Sequence, residues 1–123
     1  MEKKQMSRET LWGEFCKVMG ATPRNRILEF FLAMRDLDYS IGDLALETQL
    51  PRATAYNIME ELIKEEYLVS SRKVSGSQLY KLNRNKREVR MLIAIFDMIL
   101  DKIAKEYAPK EPIRQKKEII QAA

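Results

Sequence analysis

In the stretch LPRATAYNIMEEL, Leu50 to Leu62, a proline is followed at once by Arg52, Thr54, Tyr56 and Asn57. These four side chains carry a guanidinium, two hydroxyls and an amide, a set of hydrogen-bond donors and acceptors richer than a merely solvated surface needs. The residues between them are of another kind. Ala55, Ile58, Met59 and Leu62 recur at i, i+3, i+4 and i+7, the spacing of one buried stripe on a helix. The polar set therefore sits on the opposite face, near the helix start, where the helix dipole places partial positive charge that favours an anion.

Charge points the same way. The formal net charge is +4, a balance that favours a polyanionic partner. From Ser70 to Arg90 seven basic residues (Arg72, Lys73, Lys81, Arg84, Lys86, Arg87, Arg90) stand against Glu88 alone, a net of +6, whereas Glu60 to Glu66 carries four glutamates and one lysine.

Catalytic chemistry has little to work with. There is no histidine and one cysteine, Cys16, so a histidine-based general acid or nucleophile triad cannot form and a transition metal would find only carboxylates. No phosphate-cradling glycine loop is present. No cofactor, no metal site and no enzymatic activity are expected. A lone cysteine excludes an internal disulfide and suits a reducing cytosol, and Cys16 reads as a small core hydrophobe. The N-terminal MEKKQMSRET lacks the apolar core of a signal peptide. The longest apolar run, MLIAIFDMIL, covers ten residues and is broken by Asp97, against the ~20 that a membrane span needs. A cytoplasmic protein with no membrane partner is expected.

The elements that must position these residues follow from periodicity. With 123 residues the chain has one core's worth of sequence. SRETLWGEFCKVMG places Leu11, Trp12, Phe15, Val18 and Met19 on one side of a helix running from near Ser7 to Gly20. Thr22 and Pro23 cap and open the next, with Ile27, Leu28, Phe31 and Leu32 as its stripe. YSIGDLALETQL predicts a short helix capped by Ser40, burying Ile41, Leu44 and Ala45 and ending near Thr48. The helix from Pro51 to about Glu65 follows after three or four residues, which makes a helix-turn-helix unit. YLVSSRKV and SQLYKLN are strand-like runs joined through Gly76 as a hairpin, although Leu79 and Leu82 do not alternate cleanly and leave the register open. In NKREVRMLIAIFDMILDKIAKEY, Val89, Leu92, Phe96, Ile99 and Ile103 are spaced 3, 4, 3 and 4, a heptad seam. Ile93, Leu100 and Tyr107 widen that stripe, and Met91, Ile95 and Met98 add a second. A helix apolar on two sides must bury both, one on its own domain and the other on a partner.

This order of elements resembles the winged helix-turn-helix of prokaryotic transcription regulators from about Pro23 to Asn83. SIGDLALETQLPRATAYNIMEELIKEEYLVSSRKVSGSQLYKLN looks like the pattern of the MarR, ArsR and TrmB-like groups, in which a short helix leads to a recognition helix and then a hairpin wing. One position departs from it: Glu66 stands where such sequences often carry glycine. The resemblance implies a mainly α fold with a small β-hairpin, extended by N- and C-terminal helices that form a dimer interface. It divides the chain into an N-terminal helix (1–21), a DNA-binding winged helix-turn-helix (22–84), a long dimerisation helix (85–108) and a basic tail (109–123).

What the resemblance implies about function is sequence-specific binding of double-stranded DNA by a homodimeric transcription regulator. A helix about 10–12 Å across fits the major groove, roughly 12 Å wide. Arg52 and Asn57 are then candidates for base edges, and Thr54 and Tyr56 for phosphates or a thymine methyl. Arg72, Lys73, Ser75, Ser77 and Gln78 would lie in the wing against the flanking backbone or minor groove, with Ser40 and Arg24 holding phosphates at helix starts. Glu60, Glu61, Glu65 and Glu66 would sit at the far end, away from the duplex. Leu11, Trp12 and Phe15 with Val89, Leu92, Phe96, Ile99 and Ile103 would form the dimer interface. The reading from another class is a winged helix that docks protein within transcription or DNA-segregation machinery; the basic wing speaks against it and the acidic back of the recognition helix for it.

Overall fold

The computed structural model describes residues 12–107; Leu11 and the basic tail 109–123 lie outside the described residues. Among these the chain forms α1 (Glu14–Met19), α2 (Pro23–Ala33), α3 (Ile41–Thr48), α4 (Arg52–Lys64), β1 (Leu68–Val74), β2 (Ser77–Leu82) and α5 (Arg87–Tyr107). Local side chains fix two of the helix starts. Thr22 Oγ1 accepts from the Asn25 N–H at 3.1 Å, with Pro23 in the first turn, and Ser40 Oγ accepts from the Asp43 N–H at 3.1 Å. Each satisfies one orphan donor of its helix.

The start of α1 is set from a distance. Glu29, on α2 and only 6% exposed, accepts the Gly13 N–H on Oε1 at 3.1 Å and the Cys16 N–H on Oε2 at 3.3 Å. The carboxylate comes so close that a Cβ at position 13 would lie 2.6 Å from Glu29 Oε2. The helix start expected near Ser7 lies outside the described residues; within them Gly13 is the N-cap of α1, and Glu29 takes up the Cys16 N–H of its first turn. Phe15 and Cys16 are buried, while Val18 and Met19, expected on the same stripe, are exposed.

α2 is the central helix, buried through six consecutive residues from Ile27 to Leu32. Leu44 from α3, Met59 and Leu62 from α4, and Leu68 and Leu82 from the hairpin close the core around it. Between α3 and α4, Gln49 turns the chain in the left-handed region (φ 59°) and Leu50 is buried, which pins the turn to the core.

Ser75 and Gly76 form the two-residue hairpin loop, both at positive φ (51° and 82°), as a turn matched to the strand twist requires. Ser70 pairs with Tyr80 and Lys73 with Gln78, so Ser71 and Arg72 together face Leu79. That bulge resolves the open register. Leu79 and Leu82 are both buried despite their uneven spacing. Tyr39, just before α3, exchanges two backbone hydrogen bonds of 2.9 Å with Tyr80 and ties the hairpin to the helix-turn-helix.

α5 packs across α2, and just past the end of α2 Arg35 grips Asp97 through two hydrogen bonds of 2.7 and 3.3 Å. Of the residues expected at a dimer interface, Trp12, Phe15, Val89 and Phe96 fill the chain's own core. The first half of the heptad seam is therefore intrachain packing. Leu92, Ile99 and Ile103 are only half-buried, and Met91, Met98, Leu100 and Tyr107 are exposed. No described helix is long and apolar enough to cross a membrane.

Candidate nucleic-acid interface

α4 turns its buried stripe, Ala55, Met59 and Leu62, entirely inward. Arg52, Ala53, Tyr56, Asn57 and Glu60 are exposed on the outside, and Thr54 is half-buried. Pro51 is the N-cap and supplies no side-chain hydrogen bond. Among the described residues no side chain accepts from the first N–H groups of the helix, where the positive end of the dipole lies.

Five of the expected contact residues come together here. Ser40, Arg52, Tyr56, Ser77 and Gln78 line a cleft of about 280 Å³ between the start of α3, the start of α4 and β2. The Arg52 guanidinium lies 5.9 Å from the centre of the Tyr56 ring, close enough for cation–π attraction to orient it. Lys73, Ser75 and Ser77 are exposed near the hairpin tip.

Two residues, Arg24 and Arg72, pair with carboxylates, and Gln78 also holds the hairpin. Arg24 pairs with Glu65 at 2.8 Å and Glu61 at 3.4 Å and lies 5.3 Å from the centre of the Tyr67 ring. It therefore lies at the acidic end of α4, roughly 15–20 Å along the axis from Arg52. Arg72, on the bulge, is engaged by Asp38, Nε to Oδ2 at 2.9 Å and NH2 to Oδ1 at 3.2 Å. Hydrogen bonds from Arg72 and Ser71 hold the Asp38 carboxyl down at about 2. Gln78 Nε2 donates to the carbonyls of Arg72 and Leu79, each at 3.0 Å, and so fastens the bulge.

The basic stretch is also less positive than its count of residues. Arg84 pairs with Asp36 at 2.6 Å, as Arg72 does with Asp38. Both acids come from the α2–α3 connection, a juxtaposition no sequence spacing reveals. A residue that spacing could have revealed is Glu60. It lies three positions from Asn57 and seven from Ala53, on their exposed face, and not with the far acidic end where it was expected.

Glu66 adopts φ 65°, the left-handed conformation for which glycine is usual, and Asn83 Nδ2 donates to its carbonyl at 2.8 Å. Cys16 is 1% exposed; burial, with the Glu29 charge beside it, pushes its thiol up to about 12. It is a core residue, inert as a nucleophile. A second cavity, about 530 Å³, lies between α1, α2 and α5 and is walled by Phe15, Phe30, Met34, Phe96 and Ile99. Among the described residues no group of three or more Cys, Asp or Glu could hold a metal ion.

Residues 26–72, from α2 into β1, match the model of the IclR helix-turn-helix domain. No curated protein matches the chain. Among solved structures, a MarR family transcriptional regulator from Silicibacter pomeroyi superposes with a TM-score of 0.55 at 14% identity, covering 98% of this chain and 81% of that one. MepR, a transcription regulator of the Staphylococcus aureus multidrug efflux pump MepA, gives 0.52 at 13% identity, covering 98% and 91%. The transcriptional regulator HlyU from Vibrio vulnificus gives 0.50 at 19% identity, covering 80% and 98%. The five helices and antiparallel hairpin described here are thus a winged helix-turn-helix, whose helix-turn-helix segment matches the IclR type.

Proposed function

We propose that the protein binds double-stranded DNA sequence-specifically as a homodimer and regulates transcription, with α4 in the major groove and the β1–β2 wing on the flanking backbone. The observation that carries this reading is the cleft in which Ser40, Arg52, Tyr56, Ser77 and Gln78 meet at the unblocked start of an outward-facing helix. The transcription regulators that share the fold support it. Arg52 forks onto a guanine and Asn57 pairs with an adenine, Thr54 and Tyr56 meet phosphate or a thymine methyl, and Lys73, Ser75 and Ser77 follow the backbone. Residues 22–84 form the reading unit and 85–108 the dimerising helix, through Leu92, Ile99 and Ile103.

Fluorescence anisotropy of a random-sequence duplex, titrated at several salt concentrations with wild type and Lys73→Ala, tests the reading. Log affinity should fall linearly with log salt, and the variant should lower the slope by about 1. An absence of binding at low salt would overturn the DNA reading and leave the fold as a protein-docking surface. On a specific site, Arg52→Ala should cost ~1–3 kcal/mol and relax preference at one position; an unchanged specificity ratio would remove Arg52 from the base-reading set.

A further inference from the structure

We infer that Glu60 is a specificity-determining residue that demands a cytosine in the half-site, next to the adenine read by Asn57. This rests on the DNA reading above and adds a residue and a base to it. The helix turns about 100° per residue, so Glu60 lies about 60° around the axis from Asn57 and 20–40° from Ala53 and Lys64, within the outward face. All four are exposed. Along the axis Ala53, Asn57 and Glu60 span roughly 10 Å, about three base-pair steps of 3.4 Å.

The neighbouring glutamates differ in what holds them. Glu61 and Glu65 are drawn to the flank and paired by Arg24. Among the described residues Glu60 has no ion-pair or side-chain hydrogen-bond partner, and Lys64, one turn on, does not bridge to it. An unpaired carboxylate brought between two rows of phosphates is repelled by most sequences. The base-edge group that offsets this repulsion in the major groove is an amino donor: cytosine presents one at N4 with an acceptor on one side only, whereas the N6 amino group of adenine stands between its own N7 and the thymine O4, and guanine and thymine oxygens would repel the carboxylate further. Glu60 thus lowers affinity for DNA in general and concentrates it on sites with a correctly placed C·G pair. The acidic patch that read as the back of the helix contributes one of its members to the front.

Selection from a randomised duplex pool with wild type, Glu60→Gln and Glu61→Gln tests this. Wild type should enrich a C·G pair at one position of each half-site, with about 5- to 150-fold discrimination against the other pairs. Glu60→Gln should lose or change the preference at that position alone while binding random duplex more tightly, and Glu61→Gln should keep the wild-type site. Identical selected sites for wild type and Glu60→Gln would overturn the assignment of Glu60 while leaving DNA binding in place. Loss of preference in Glu61→Gln as well would overturn it too, by making the effect one of net charge. If wild type binds no duplex at all, both the inference and the reading beneath it fall.

Discussion

Glu66 shows how one backbone angle can override a side chain's preference. A residue with a Cβ pays roughly 1–2 kcal/mol in the left-handed region, while glycine costs the unfolded chain about 0.5–1 kcal/mol more entropy. The balance favours glycine at φ 65°. Glu66→Gly should therefore stabilise the protein by about 0.5–1 kcal/mol, read as a higher urea midpoint at unchanged m. A lower midpoint would mean that the Asn83 hydrogen bond to the Glu66 carbonyl depends on the glutamate. Cys16 illustrates the opposite relation, in which surroundings silence a reactive group: burial keeps the thiol protonated at neutral pH.

Elements in this fold are joined by carboxylates reaching across from neighbouring segments. Glu29 of α2 caps α1 through the Gly13 and Cys16 N–H groups. Glu29→Ala leaves those donors without their acceptor, so it should cost about 1–3 kcal/mol, measured by urea unfolding; a neutral result would show that water replaces the carboxylate. Asp38 performs a similar task for the wing, holding the bulge through Arg72. Its carboxyl lies near 2 in the folded protein, below the roughly 3.9 of an unfolded chain. A depressed folded value contributes stability that is complete above about pH 4 and lost as pH falls toward 2. Thermal unfolding across that window should show a steeper acid loss in wild type than in Asp38→Asn. Equal slopes would mean that the exposed Arg72 partner is screened to nothing.

At the scale of the whole molecule, α5 carries more apolar surface than the single chain covers. Val89 and Phe96 are buried, yet beyond them Leu100 and Tyr107 are exposed and Ile99 and Ile103 half-covered. A second copy would complete that burial and bring two α4 helices to one duplex. The Ile99→Asp/Ile103→Asp double variant should sediment as a monomer and bind a two-half-site duplex at least ~10²-fold more weakly, through loss of the linked second contact. Wild type sedimenting as a monomer would remove this role from α5 and leave the exposed apolar surface to another partner.

The order of helices and hairpin, the caps at Thr22 and Ser40, the buried stripe of α4 and the turn at Gly76 were legible in the sequence. Each depends on residues within a few positions of one another, and local sterics and hydrogen bonding decide them. The polar set at the start of α4 was legible for the same reason: the 3.6-residue period separates buried from outward faces. Tertiary packing decided what spacing could not. It assigned Trp12, Phe15, Val89 and Phe96 to the chain's own core, because a heptad seam looks the same whether its partner is α2 or another subunit. It also paired Arg24 and Arg72 with carboxylates. Their carboxylate partners lie tens of residues away in the chain, and charge pairing across such separations exists only once the fold has brought the two ends together.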